Sequence, residues 1–220
     1  MSSREDILGR VRAQLGRTAE NALAGNVALE DVLVMRREGP KPRVDGGREA
    51  LATRFREKSE TSSSTVERVP SRAEAPVAAA RYLAAMGLGT RAVIQPALAD
   101  LDWGGAGLHV EARGAVDADL VGITGCFCAI AETGTLMLCS APATPAAVSL
   151  LPETHIALVD AKRIVAHMED AWNLARAELG GLPRAVNFIS GPSRTGDIEL
   201  TIVLGAHGPY RVHIVVFDRG

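Results

Sequence analysis

The chain has 220 residues, of which 47% are hydrophobic and only 4% aromatic, and a net charge of −2. This length suits one sizeable core with an extension, and the hydrophobic content excludes global disorder. The scarcity of aromatic side chains predicts an aliphatic core typical of α/β folds and disfavours a site that stacks nucleic-acid bases. Residues 1–72 carry 14 Lys/Arg and 11 Asp/Glu, so the remainder is acidic and no nucleic-acid partner is expected.

The sequence predicts a cytoplasmic protein without a membrane span. Its first six residues lead into no apolar signal segment, and no stretch approaches the ~20 apolar residues that cross a bilayer. Cys126, Cys128 and Cys139 are an odd set of cysteines in apolar surroundings. This usage is typical of free thiols in a reducing compartment.

Residues 1–70 are predicted to form one helix and an irregular arm. Apolar residues recur at helical spacing over residues 7–15, and Gly16 ends this helix. Breaker clusters indicate irregular structure up to about residue 47, followed by a helix at 50–58 and a polar loop at 59–65. We interpret the basic arm as a solvated segment or, alternatively, as a partner-docking arm.

A compact domain is predicted for residues 71–220. Ser71 and Glu74 match a capping box that begins an Ala-rich helix, and Gly87 ends it. Another helix is expected at 162–179. Strands are expected at 91–95, 108–112, 120–123, 135–139, 155–159, 186–189, 198–204 and 212–217, the last two as a hairpin. This order predicts a three-layer α/β fold with a mixed, mostly parallel sheet and an antiparallel edge.

The first segment that could carry chemistry is residues 125–135. Glu132 is a single carboxylate in an apolar run, flanked by Thr133 and Thr135. A carboxylate there must be hydrogen-bonded or shifted in its pKa, as a general base, a nucleophile or a ligand anchor is. Equally, Glu132 could only cap backbone N–H groups of a turn.

The second segment, residues 190–199, reads Ser-Gly-Pro-Ser-Arg-Thr-Gly-Asp-Ile-Glu and follows a predicted strand. Ser193, Arg194 and Thr195 offer hydrogen-bond donors, and Arg194 can hold a carboxylate or phosphate with two bonds while Asp197 orients it. The alternative is an Arg194–Asp197 pair that only pins the loop. The segment lacks the Lys-Ser/Thr ending of a P-loop, which argues against ATP binding in that mode.

Two histidines lie beside these segments in the predicted fold. His207, within Gly-Ala-His-Gly-Pro, could act as an acid, a base or a metal ligand, or could be a turn residue exposed to water. His155 could enter the same cleft or only cap the fifth strand. Because sites in open α/β sheets form at the carboxyl ends of strands, we expect one cleft there. The chain has no iron–sulphur or His-Glu-x-x-His motif, so no metal and no cofactor are expected.

Five stretches agree in order and spacing with the lactate-utilisation (LUD) domain family, which the chain resembles in its stand-alone protein C (YkgG) type. They are Val-Gly-Ile-Thr-Gly at 121–125, Ala-Ile-Ala-Glu-Thr-Gly-Thr at 129–135, Leu-Pro-x-x-His-Ile at 151–156, Ile-Ser-Gly-Pro-Ser-Arg-Thr-x-Asp-Ile-Glu at 189–199, and Gly-x-His-Gly-Pro at 205–209. The family pattern has Ala, an acidic or polar residue and an aromatic residue after Gly125, where this chain has Cys126, Phe127 and Cys128.

The resemblance implies a fold similar to that of CoA-transferases, ribose-5-phosphate isomerase (the NagB/RpiA group) and formyltetrahydrofolate cyclo-ligase. It also implies a part in oxidising L-lactate to pyruvate alongside two partners, both with iron–sulphur character. Since this chain has no cluster motif, the partners are expected to handle the electrons.

These expectations support three hypotheses. In the first, a lactate-utilisation component binds a small carboxylate or related anion, with Glu132 and His207 as the acid–base residues. Its ligand-binding residues would be Thr133, Thr135, His155, Ser193, Arg194, Thr195 and Asp197. In the second, the chain is a non-catalytic assembly subunit whose N-terminal helix docks an iron–sulphur partner. In the third, it is an enzyme similar to CoA-transferases or cyclo-ligases, acting through Glu132.

Overall fold

The computed structural model describes residues 3–18, 21, 32, 34–35, 39–44, 46–195, 203–205 and 207–219. The chain divides into two compact units, residues 1–41 and 42–220. In the first unit, helix α1 (Ser3–Gln14) confirms the predicted N-terminal helix, and Gly16 follows it at a φ of +59°.

The second unit contains the sheets that position the candidate sites. Its helices are α2 (Arg48–Thr61), α3 (Ala75–Ala85), α4 (Ala147–Leu150) and α5 (Met168–Leu179). Its strands are β1 (Thr65–Ser71), β2 (Arg91–Ile94), β3 (His109–Ala112), β4 (Val121–Gly125), β5 (Cys128–Ile130), β6 (Thr135–Cys139), β7 (Thr154–Asp160), β8 (Ile164–Val165), β9 (Val186–Ile189), β10 (Arg194–Thr195), β11 (Val203–Leu204) and β12 (Arg211–Arg219). Among the described residues, no helix is long and apolar enough to cross a membrane.

The larger sheet has six strands in the order β1-β12-β7-β4-β2-β3, and every neighbouring pair is parallel. Its central strands are aliphatic and buried on both faces, as parallel sheets require. On one face, Ala79 and Leu83 of α3 share a hydrophobic cluster with Ile156 and Val215 of the sheet. The predicted α/β class with a mostly parallel sheet is confirmed.

A second sheet covers the other face, with the order β8-β5-β6-β9. Its antiparallel pairs are β5 with β6 and β6 with β9. Leu136 of this sheet and Phe55 of α2 share one hydrophobic cluster with Val159 and Ile214 of the larger sheet. Helix α5 covers the outer side through Ala171 and Ala175. The strands predicted as one mixed sheet therefore form two stacked sheets.

The C-terminal hairpin was predicted wrongly. Strand β12 lies inside the large sheet, parallel to both β1 and β7, whereas β11 pairs with β10. Two aliphatic runs around a Gly/Pro turn resemble a hairpin, but residues 212–217 are all buried and their strand is paired on both sides, whereas an edge strand leaves one row of backbone groups unpaired. The first part of the other predicted strand, residues 198–202, lies outside the described residues.

The predicted helix at 162–179 is also shorter than expected. Residues 161–163 form a 3-10 turn, Ile164 and Val165 form β8, and α5 begins only at Met168. Ile164 lies four residues before Met168, the first residue of α5, so its position in the strand β8 matches the spacing of apolar residues along a helix. The change of element leaves His167 at the start of α5 rather than inside a helix.

The structure places the start of the larger unit earlier than the predicted boundary at residue 71. Strand β1, within the predicted polar loop and arm, pairs with β12 from Thr65↔His213 to Ser71↔Arg219. Phe55 of α2 is fully buried. The polar composition concealed this segment because β1 is an edge strand and exposes much of its length.

Candidate functional site

The predicted Glu132 turn is the tip of the β5–β6 hairpin. Gly134 adopts a φ of +68°, and its N–H donates to the carbonyl of Ile130 at 2.9 Å. A Cβ on Gly134 would come within 2.4 Å of the backbone nitrogen of Ser59 in α2. The Ser59 hydroxyl donates to the Gly134 carbonyl at 3.2 Å. Glycine is thus required here both by the turn and by the close approach of α2.

Glu132 pairs with a residue that the sequence did not indicate. Its Oε2 lies 2.9 Å from Nδ1 of His167, and the two side chains are 23% and 12% exposed. The Glu132 N–H donates to the Ala166 carbonyl, which holds the two residues side by side. The His167 N–H donates to the Asp170 carboxylate, which caps the start of α5. An acidic residue three positions after His167 was therefore the sequence signal that the helix begins there.

Hydroxyl groups join the first motif segment to the second. The Oγ1 atoms of Thr133 and Thr135 are 2.7 Å apart, and Thr135 Oγ1 is 2.7 Å from Oγ of Ser190. Thr135 is buried while Thr133 is exposed. This chain of hydroxyls connects the exposed tip of the hairpin to the loop that follows β9.

The loop after β9 packs on the residues between α2 and β1. Gly191 has a φ of +83°, and a Cβ there would be 2.0 Å from the carbonyl oxygen of Ser62. Arg194 is exposed, and its guanidinium donates to the hydroxyl of Ser63. Thr195 lies in β10, but its side chain is outside the described residues, as is the whole of Asp197.

The His207 turn contacts the same loop through its backbone. The Ser193 N–H donates to the Pro209 carbonyl at 2.8 Å, and the Gly205 N–H donates to the Ser193 carbonyl at 2.9 Å. His207 itself is exposed. We use the name motif cluster for residues 132–135, 190–194 and 207–209, which these hydrogen bonds bring into one connected set.

The motif cluster lies at the opposite edge of the large sheet from the one predicted. The His207 turn directly precedes β12, whose first residue, Arg211, pairs with the first residue of β7, Thr154. Ser62 and Ser63 likewise precede β1. The Arg194 loop follows β9 of the smaller sheet, so the carboxyl-end rule for parallel sheets did not apply to it.

His155 is a core residue in the structure. It is fully buried in β7, where Nε2 shares a hydrogen bond of 2.8 Å with the Thr124 hydroxyl. Its Nδ1 has no hydrogen-bond partner among the residues that the structure describes. Burial lowers the pKa of His155 to about 4, so the ring is neutral near pH 7. The structure thus places His155 inside the sheet, away from solvent and from any surface of a cleft.

The carboxyl edge of the large sheet has a different opening, which the sequence did not identify as a site. A crevice of about 480 Å³ is lined by Gln95 after β2, by Gly125 and Phe127 after β4, and by Cys139 of β6 and Leu179 of α5. We use the name switch-point crevice for it. One sequence feature did point to this crevice. The chain departs from the family pattern at Cys126-Phe127-Cys128, and Cys126 and Phe127 line the crevice.

Within the described residues, no group of three or more His, Cys, Asp or Glu side chains is arranged to hold a metal ion. The three cysteines are free thiols. Burial raises the pKa of Cys126 and Cys139 above the ordinary thiol value and that of Cys128 to about 12. Protonated thiols are poor nucleophiles and poor metal ligands, so these side chains act as small apolar groups near neutral pH.

The fold and its motif cluster define a class of α/β domain with an all-parallel main sheet and a smaller mixed sheet stacked on it. Residues 52–217 match the sequence model of the LUD domain. The chain belongs to the LUD domain family.

Relatives with names and a solved structure agree with this assignment. Lactate utilization protein C of an Exiguobacterium species is 42% identical over 108 residues, 47% of this chain and 46% of that protein. The protein of the same name from Bacillus subtilis is 41% identical over 103 residues, 45% of this chain and 43% of that protein. The chain thus spans less than half the length of these relatives.

The fold resembles the crystal structure of a DUF162 family protein from Deinococcus radiodurans, with a TM-score of 0.59 and 26% identity. That likeness covers 79% of this chain and 100% of the other. It supports the α/β architecture. The likeness to CoA-transferases, ribose-5-phosphate isomerase and the cyclo-ligase stays a prediction.

Proposed function

We propose that this chain is a component of an L-lactate utilisation system and binds a small carboxylate or a related anion at the motif cluster. The names of the relatives support the first part. The observation that carries the second is the set of hydrogen bonds that joins Thr135 to Ser190 and Ser193 to Pro209, because it assembles separate family motifs around an exposed cation.

Arg194 is the proposed anion-binding residue. Its guanidinium is exposed and donates to the Ser63 hydroxyl, its one hydrogen bond to a described residue, so among those residues donors remain for a two-bonded carboxylate. The hydroxyls of Ser193 and Thr195 would add hydrogen bonds, and Asp197 would orient the guanidinium. Exposed ion pairs contribute about 1 kcal/mol or less, so we expect affinity in the millimolar range, about 4 kcal/mol in total.

The acid–base part of the proposal involves Glu132 and His207. Glu132 is paired with His167, and a carboxylate that accepts from Nδ1 fixes the ring tautomer with Nε2 free to accept a proton. We propose this Glu132–His167 pair, beside the Thr133 and Thr135 hydroxyls, as the proton-accepting group. His207 remains the second candidate, on its exposure in the turn next to Ser193.

Calorimetry with L-lactate and pyruvate tests the anion site. We expect saturable heats for the natural chain and at least about fivefold weaker binding for Arg194→Ala, since one charge-assisted hydrogen-bonding group is lost. Arg176→Ala is the matched control, because Arg176 is an exposed arginine of α5 whose guanidinium contacts only Asn173 among the described residues. Equal heats for the natural chain and Arg194→Ala would remove Arg194 from the site.

A second candidate function, docking of an iron–sulphur partner, is favoured by the surface of α1. Ile7, Val11 and Leu15 are large apolar residues and are largely exposed. Exposed apolar groups in a row are typical of interaction surfaces. We expect deletion of residues 1–20 to abolish co-purification with the iron–sulphur partners; survival of the complex would contradict docking by α1. The CoA-transferase or cyclo-ligase alternative rests on predicted fold likeness alone.

A further inference from the structure

The switch-point crevice lies where the sheet topology favours ligand binding. After β2 the chain continues to β3 at the sheet edge, whereas after β4 it passes through β5 and β6 of the second sheet and α4 and returns to the large sheet at β7, on the other side of β4. Because the two connections leave adjacent strands in opposite directions, a gap opens between their carboxyl ends. Ligands of open parallel sheets bind in such gaps. The volume of the switch-point crevice, about 480 Å³, also lies in the range of small-molecule sites.

The walls of the crevice are apolar and carry no charge. They are formed mainly by Phe127, Leu138, Leu179 and Pro183, and no Asp, Glu, Lys, Arg or His is among the described lining residues. Arg163, whose guanidinium stacks 4.7 Å from the centre of the Phe127 ring, is already paired with Glu178 at 2.7 Å. An anion entering the crevice would lose water without gaining a counter-charge, which is unfavourable.

Two thiols complete the wall and keep it neutral. The Cys126 thiol donates to the Cys128 carbonyl at 2.8 Å, and Cys139 also lines the opening. Burial raises the pKa of both thiols. They therefore stay protonated near neutral pH and offer polarisable apolar surface.

A few fixed polar groups stand at the base of the crevice. Gln95 is only 2% exposed, and its Oε1 accepts from the Gly125 N–H at 2.9 Å. Its oxygen is engaged and no described residue accepts from its Nε2 amide, so these donors are left for a ligand. The Ser140 hydroxyl accepts from the Ala185 N–H at 2.9 Å, so its own proton is available too. Few convergent donors in an apolar pocket select for a ligand with an acceptor.

We propose that the switch-point crevice binds an uncharged compound of one or two rings that presents a carbonyl-type acceptor to the Gln95 amide and the Ser140 hydroxyl. This ligand differs in class from the small carboxylate proposed for the motif cluster. The crevice and the motif cluster lie at opposite edges of the large sheet, so the two sites can be occupied and tested independently.

Fluorescence titration with prodan, an uncharged two-ring ketone, tests the proposal on the full chain. We expect saturable, blue-shifted emission with one molecule bound per chain and no competition by L-lactate. Gln95→Glu keeps an acceptor for the Gly125 N–H but replaces the amide donors with a charge, and should weaken binding at least about tenfold, the loss of roughly one hydrogen bond. Ala141→Trp, at an exposed lining position, should fill the opening and abolish binding.

Ala118→Trp is the matched control. Ala118 is also exposed, but it lines a separate depression of about 420 Å³ beside Arg91, Glu111 and Arg113. This variant should bind prodan like the natural chain, and both tryptophan variants should keep the natural melting temperature. Gln95→Glu buries a carboxyl group and should melt lower, so its titration is made well below its own melting temperature. Undiminished binding by Ala141→Trp or Gln95→Glu would overturn the proposal, as would loss of binding in Ala118→Trp. Binding of the anionic dye anilinonaphthalene sulfonate to this crevice as tightly as prodan would also overturn the proposal.

Failure of this proposal is distinguishable from failure of the anion site. Lactate calorimetry on Ala141→Trp should match that of the natural chain, and prodan binding by Arg194→Ala should be unchanged. If the crevice does not bind prodan, the calorimetric result for Arg194→Ala is unaffected.

Discussion

Two buried histidines lie in adjacent strands of the large sheet, and burial keeps both rings neutral near pH 7. His155 shares its hydrogen bond with Thr124, and His213 shares one of 2.8 Å with Thr65 and stacks on the Tyr82 ring at 4.0 Å. Burial lowers the pKa of each ring from 6.5 to about 4. The unfolded chain therefore binds more protons than the folded chain over this interval.

The free energy of unfolding should fall as the pH drops. The stability linked to each histidine is fully present above pH 6.5, the unfolded pKa, and is lost as the pH falls toward the folded pKa of about 4. Each shift corresponds to about 3 kcal/mol at most. We expect His213→Asn to be less stable at neutral pH, through lost stacking, but to lose less between about pH 7 and pH 4.5 in urea unfolding.

His109→Asn is the control for this pH dependence, because the His109 ring is exposed at the start of β3. Its unfolding curves should follow those of the natural chain at each pH. A His213→Asn variant whose pH dependence also ran parallel to that of the natural chain would contradict a neutral, buried His213.

The sequence predicts that Glu132 needs a partner but does not indicate which residue it is. A carboxylate in an apolar run must have a partner, and the sequence was sufficient to predict that need. The partner, His167, is 35 residues away and was assigned to a helix. Only the parallel pairing of β5 with β8 brings the two together.

At the scale of elements, α2 is a structural part of the domain. It lies under the second sheet, and it ends against the Glu132 turn and the Arg194 loop through Ser59, Ser62 and Ser63. Phe55 anchors it in the hydrophobic cluster shared by both sheets. The helix thus connects core packing with the geometry of the motif cluster.

Phe55→Ala should lower the free energy of unfolding by about 3–5 kcal/mol, because a fully buried aromatic side chain is replaced by a cavity. Glu57→Ala, at an exposed position of the same helix, should change it by no more than about 0.5 kcal/mol. Urea unfolding followed by circular dichroism measures both. Equal small effects would mean that α2 is dispensable for the fold.

At the scale of the whole molecule, the boundary between the two units falls between residues 41 and 42. A chain that begins at Pro42 retains α2, β1 and both sheets, whereas one that begins at Arg72 loses the edge strand β1 and the Phe55 anchor. The backbone pairing of β1 with β12 and the burial of Phe55 both argue that the later start removes part of the core.

We therefore expect the chain that begins at Pro42 to melt within about 2 °C of the full chain, a difference of roughly 0.5 kcal/mol. The chain that begins at Arg72 should show no cooperative transition. Calorimetry of the two shortened chains decides between the boundaries: cooperative folding of the chain from Arg72 would restore the boundary at residue 71.

The sequence by itself determined the aliphatic α/β class, most strand positions, the N-terminal helix and the motif segments, because these depend on local periodicity, glycine positions and short-range residue order. It also indicated Arg194 and Glu132 as candidate site residues from the same local features. The position of β12 between β1 and β7, the second sheet and the Glu132–His167 pair were decided by tertiary structure. Strand order and the edge at which loops meet depend on contacts between residues far apart in the chain. A local pattern carries no information about those contacts, so the motif cluster and the switch-point crevice could be placed at opposite edges only once the strands were paired.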